Sequence, residues 1–127
     1  AKESGYYPPI IIPKALEIGP RLLNTFTTAY KFGIKIAFGT DSGVSYHGDN
    51  AKEFVYMVEG GMLEIEAIKS ATVVPAQLLN ISEKFGTIES NKIADIIAVD
   101  GDPTQDIRSM LKVVFVMKNG KVYKTPS

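Results

Sequence analysis

The residues best placed for chemistry are the carboxylate and hydroxyls of Gly39-Thr40-Asp41-Ser42-Gly43 and the imidazole of His47, the single histidine of the chain. Asp41 follows Ile34-Lys35-Ile36-Ala37-Phe38, an apolar run broken only by Lys35, with no turn former before Gly39. Such a run reads as a short strand buried on both faces, the kind that parallel sheets use. Gly39 admits a close backbone approach, Thr40 and Ser42 add hydroxyls, and Gly43 releases the chain into a loop. Asp41 is therefore expected at the carboxyl end of a parallel strand, where ligands and catalytic groups collect in α/β sheets and barrels. A carboxylate there can accept a proton or hold a cation. The alternative is an aspartate that only caps a turn or helix.

The elements that must position this turn read as follows. Residues 1–13 carry Tyr6-Tyr7-Pro8-Pro9 and Pro13, and the prolines predict an extended lead-in. Ala15, Leu16 and Ile18 begin a helical pattern that breaks at Gly19-Pro20. Pro20 then opens a second helix with Leu22, Leu23, Phe26, Ala29 and Tyr30 at helical spacing, ended by Gly33. After the strand, the polar residues 44–49 lead to Asn50, which has capping-box spacing to Glu53 at the start of a helix that Gly60-Gly61 stops. Ala51, Phe54, Val55 and Val58 share a face of that helix. Ile65, Ile68 and Thr72 mark another, and Pro75 begins a short one through Leu79.

At Phe85-Gly86 the period changes. Short strand-like runs follow at residues 87–89, 95–99, 113–117 and 121–123, with one helical turn between Asp106 and Leu111. Asn119-Gly120 predicts a tight hairpin of the primed-turn kind. Residues 1–84 thus read as the last elements of a parallel α/β body and residues 85–127 as a small β unit.

Composition narrows the function classes. At 127 residues the chain is too short for a complete eight-stranded barrel, which takes roughly 250. Lys plus Arg and Asp plus Glu number 14 each, so nothing electrostatic points to nucleic acid or an anionic membrane. A hydrophobic share of 45% with 22% charged residues is that of an ordinary globular chain. No cysteine is present, which rules out disulfides and thiolate zinc sites and fits a reducing compartment. With no apolar signal segment and no run long enough to span a bilayer, a cytoplasmic location is the default expectation.

Several motifs now combine. Gly39-Thr40-Asp41, His47-Gly48, Lys52-Glu53, Met57-Val58-Glu59 with Gly61-Met62, Glu66-Ala67-Ile68 with Ala71-Thr72, Gly86-Thr87-Ile88-Glu89, Ala94-Asp95-Ile96-Ile97-Ala98-Val99 with Gly101-Asp102-Pro103, and Met117-Lys118-Asn119-Gly120-Lys121 stand in this order. Together they resemble the metal-dependent amidohydrolase superfamily, in the branch of imidazolonepropionase-like proteins and prolidase-type dipeptidases. The resemblance runs from about Pro20 to Lys124. It implies a (β/α)8 barrel of the TIM type with a small composite β-sandwich, of which this chain would be the carboxy-terminal portion.

The resemblance also implies a chemistry. A divalent metal, Zn²⁺ in one or two copies, polarises the scissile carbonyl and lowers the pKa of bound water. The family's last barrel strand gives an aspartate that binds metal and shuttles the proton of the attacking water, and Asp41 matches that position. Tyr46 and His47 fall in the loop that rims the substrate pocket; the alternative for His47 is a histidine that orders its own turn. Lys92 and Asp95 read as solvated or turn-fixing residues of the β unit, and no cofactor-binding residues beyond the metal ligand are implied.

This chain has no His-x-His pair, and one carboxylate does not hold Zn²⁺, which takes about three or four protein ligands. The expectation is therefore a piece of a longer hydrolase of C–N bonds, acting on a small amide, dipeptide or cyclic amide. Its first partner would be the missing amino-terminal part of the barrel, and alone it would bind no metal and be inactive. The alternative is a non-catalytic binding or structural module that keeps the same layers. A free-standing sheet protein with a response-regulator-like aspartate is disfavoured, because one parallel strand stands where about five are needed. A strand and helices without their barrel neighbours leave edges and apolar faces open. Homo-oligomerisation is the expected consequence: sedimentation should show self-association, and a compact monomer would contradict it.

Overall fold

The computed structural model describes residues 8–43 and 48–126. Contacts divide the chain into two units, Ala1–Ile34 and Lys35–Ser127.

The first unit is built on one helix, α1 (Ile12–Lys31). The prolines do not hold residues 8–13 extended. The Pro8 and Pro9 carbonyls accept the N–H groups of Ile11 and Ile12 in turns, and Pro13 sits in the first helical turn, where a missing N–H leaves no bond unmade. Nor does Pro20 divide the helix: it lies inside α1. It offers no N–H to the Leu16 carbonyl one turn back, but Leu16 lies on an exposed stretch where water can take that bond. Gly33 does end the helix. Its φ of +73° lets its own N–H reach Tyr30 and the Ile34 N–H reach Ala29, closing the last turn.

In the second unit, α2 (Lys52–Glu59) buries Phe54 and Met57. Gly61, at φ +95°, closes it by the same pattern, with Gly61 N–H on Val58 and Met62 N–H on Met57. α3 (Glu64–Ser70) follows, and its buried residues are Ala67 and Ser70 rather than Ile65 and Ile68. Small side chains on that face bring α2 and α3 close, while Ile65 is exposed and Ile68 half-buried. The Ser70 hydroxyl is satisfied by the Ala67 carbonyl at 2.6 Å. α4 (Val73–Leu78) ends on Asn80 at φ +56°, the residue other than glycine best suited to that conformation.

The remaining strands form an antiparallel sheet in the order β1 (Ile96–Val99), β2 (Val113–Lys118), β3 (Lys121–Lys124). The run at 87–89 joins no ladder. Lys118 pairs with Lys121 across Asn119-Gly120, whose φ values of +49° and +75° are those of a primed turn. The Asp95 carboxylate fixes that turn, accepting from Lys118 Nζ and from the Asn119 N–H at 2.7 Å. These bonds, Lys118 first, lower the Asp95 pKa. Their stabilisation is therefore present above the usual carboxylate range and lost as pH falls through the lowered value. Lys92 is held by Thr87 and Glu89.

Ile107 and Met110, on a single 3-10 turn spanning Ile107–Leu111, are buried where that turn packs on α2. Asp106 caps the turn through the Arg108 N–H. Among the described residues no helix is long and apolar enough to cross a membrane.

Gly86 packs closely against α4 and the residue before it. At φ +98° a Cβ there would stand 2.8 Å from Ala76 Cβ and 3.1 Å from the Thr72 carbonyl oxygen. Gly86→Ala is expected to cost about 2–4 kcal/mol in urea denaturation, overpacking added to backbone strain. Gly61→Ala, equally left-handed but with nothing within 4 Å, is expected to cost only about 1 kcal/mol.

Candidate functional site

The segment leading to Asp41 is not a strand buried on both faces. Residues 34–42 join no ladder; Ile34 is 59% exposed, and Ile36, Ala37 and Phe38 are half-buried. A parallel strand acquires its hydrogen bonds and its burial from flanking strands, and among the described residues no strand flanks this segment. What holds the segment is local. The Phe38 N–H donates to the Ser70 carbonyl at 2.8 Å, and the Phe38 ring packs on Phe54 with centroids 4.4 Å apart. The end of the segment is thereby fixed to α2 and α3.

Beyond Phe38, Thr40 Oγ1 accepts from the Asn50 side-chain amide at 3.1 Å. Asp41 comes next, exposed, with φ +46°. Aspartate tolerates this left-handed conformation better than most residues, but it persists only where neighbours hold it.

Asn50 is not a capping residue. The α2 N-cap is Ala51, and no side chain bonds there. Residues Asp49–Ala51 form a short 3-10 turn instead, and the Asn50 carbonyl oxygen accepts the Gly48 N–H at 3.3 Å. Lys52 pairs with Asp49 at 2.7 Å. Glu53 neither caps the helix nor joins a cluster of ligands. Burial pushes its carboxyl above the usual range.

Tyr46 and His47 lie outside the described residues, as do Tyr6 and Tyr7. The described site is therefore Asp41 with Thr40 and Asn50. Asn50 escaped the sequence reading because its spacing to Glu53 matched a cap; the signal that could have found it is an asparagine two residues after a glycine, able to close that turn with its own side chain. Among the described residues, no group of three or more His, Cys, Asp or Glu side chains stands together as a cation cage. The side chains placed here therefore do not by themselves fit the metal that the resemblance implies.

The amidohydrolase family is matched over residues 3–123. Among solved structures, a Xaa-Pro dipeptidase with methionine bound in its active site is similar at a TM-score of 0.86 and 52% identity, over 97% of this chain and 30% of that one. A prolidase complexed with N-methylphosphonate-L-proline follows at 0.78 and 28% identity, over 93% of this chain and 30% of that one. The A. niger ochratoxinase is similar at 0.70 and 35% identity, over 83% and 25%. A search of curated proteins finds no match. The chain thus spans less than a third of the length of these solved structures.

The Glu53 carboxyl gives a sign that can be measured. Its folded-state pKa is raised by burial, so the folded chain holds that proton more tightly than the unfolded chain does. Its ionised form costs stability at neutral pH, and the cost fades as pH falls through the raised value. Glu53→Gln is expected to stabilise slightly at pH 7 and to make no difference below about pH 4, read by denaturation at both pH values.

Proposed function

The chain belongs to the amidohydrolase family, in its prolidase-like branch, and we propose that the parent protein hydrolyses the amide bond of small dipeptides. The observation that carries this reading is the similarity, over nearly the whole chain, to the solved Xaa-Pro dipeptidase. The helices and small antiparallel sheet correspond to part of a TIM-barrel amidohydrolase, without the full barrel. The remaining barrel elements, contributed by the rest of the parent, are the chain's first partner.

Asp41 is this chain's contribution to the chemistry. We assign it one ligand position toward a divalent metal, zinc as first candidate, and the transfer of the proton from the attacking water. A single ionised carboxylate can do both. Its support is the place of Asp41 after the segment that Phe38 fixes, together with the family match. Tyr46 and His47 are assigned the substrate rim on the motif resemblance alone. Since the described side chains form no cation cage, the chain by itself is expected to be inactive.

The test uses the full-length parent, assayed on Xaa-Pro dipeptides with added Zn²⁺. Wild type should turn over, and Asp41→Asn should lose roughly a thousandfold in kcat. Retained turnover in Asp41→Asn would remove Asp41 from the mechanism.

A further inference from the structure

We infer that Asn50 is a positioning residue that fixes the backbone carrying Asp41, an assignment resting on the role proposed for Asp41. Its side-chain nitrogen donates to Thr40 Oγ1 at 3.1 Å while its carbonyl oxygen accepts the Gly48 N–H at 3.3 Å. One side chain thus ties the residue before Asp41 to the turn that opens the following helical elements. Asparagine suits the task because it presents a donor and an acceptor on one planar group without a charge. Lys52, two positions after Asn50, is engaged by Asp49, so the link itself joins two uncharged side chains.

The need for such a link comes from the backbone. Asp41 sits at φ +46°, a conformation kept only when its surroundings dictate it. The Phe38 anchors act three residues earlier, too far back to set the last peptide units. The Thr40 bond acts on the adjacent residue. A carboxylate that handles a proton in a bond-making step loses rate steeply when it is displaced, even where binding survives. Asn50 therefore acts on kcat, through Asp41.

In the full-length parent, Thr40→Val keeps the side-chain shape and removes the hydroxyl, Asn50→Leu removes both ends of the link, and Thr40→Ser keeps the hydroxyl. Thr40→Val and Asn50→Leu are each expected to lower kcat roughly tenfold with KM within about twofold and thermal midpoint unchanged. The double variant should be no worse than either single one, Thr40→Ser should turn over like wild type, and hydrogen exchange at the Gly48 amide should quicken in Asn50→Leu. An unchanged kcat in Thr40→Val, losses that multiply in the double variant, or a Thr40→Ser as impaired as Thr40→Val would overturn the assignment. Asp41→Asn run in parallel separates the two readings. If it is active, both fall; if it is inactive beside an unaffected Thr40→Val, only the role of Asn50 falls.

Discussion

A single amide, the Phe38 N–H donated to the Ser70 carbonyl at 2.8 Å, does for this chain what a row of ladder bonds does for a sheet strand. It works because α2 and α3 stand close enough for both to reach the same segment. That closeness comes from Ala67 and Ser70, whose small side chains are almost wholly buried, and from Gly61, whose left-handed backbone closes α2 and leads into α3. The Phe38 and Phe54 rings then close the gap on the side facing α2. Enlarge either small residue and the carbonyl moves away; straighten the Gly61 turn and the phenylalanines part. The course of the segment up to Phe38 is thus decided by packing among residues that carry no chemistry.

The β portion of the second unit is joined to the same core rather than appended to it. Ile107 and Met110 are buried at the contact with α2, and Gly86 lies against Ala76 and Thr72 so closely that no side chain fits between. Elsewhere large aliphatics stay in water, Leu22 at 65% and Ile88 at 81% exposed among them. Apolar area left open forgoes on the order of 25 cal/mol per Å². The similar Xaa-Pro dipeptidase and ochratoxinase chains are more than three times longer.

What could be read from the sequence was what local chemistry decides. Gly33, Gly61 and Asn119-Gly120 mark their turns because few other residues adopt positive φ, and each stands where it is expected. Asp95 was legible as a turn-fixing residue on the same kind of ground. The misreadings share another cause. The apolar run at 34–38 reads as a strand by its hydrophobicity, but a ladder needs flanking strands, and among the described residues none pairs with it. Pro20, with its one missing N–H, predicts a boundary, yet an exposed helix tolerates that loss. In α3, the spacing of Ile65, Ile68 and Thr72 marks the helix, while the residues it buries are Ala67 and Ser70. Periodicity registers how apolar a face is and does not register how near its partner comes.

The case of Asn50 shows how a tertiary contact displaces a local one. As a cap it would satisfy an amide at the start of α2, a bond that water can also make at an exposed helix end. Bound to Thr40, it joins two segments ten positions apart in sequence, and water makes that connection only by loosening it. A hydrogen bond that closes a loop restricts the chain between its ends as well as satisfying two groups. Asp41, the one carboxylate to which the family resemblance gives a role, directly follows Thr40, and the contacts made by Phe38 and by Thr40 all lie within the second unit. Asp41 can therefore be held in its conformation by this part of the fold, before any ligand contributed by the rest of a barrel comes to meet it.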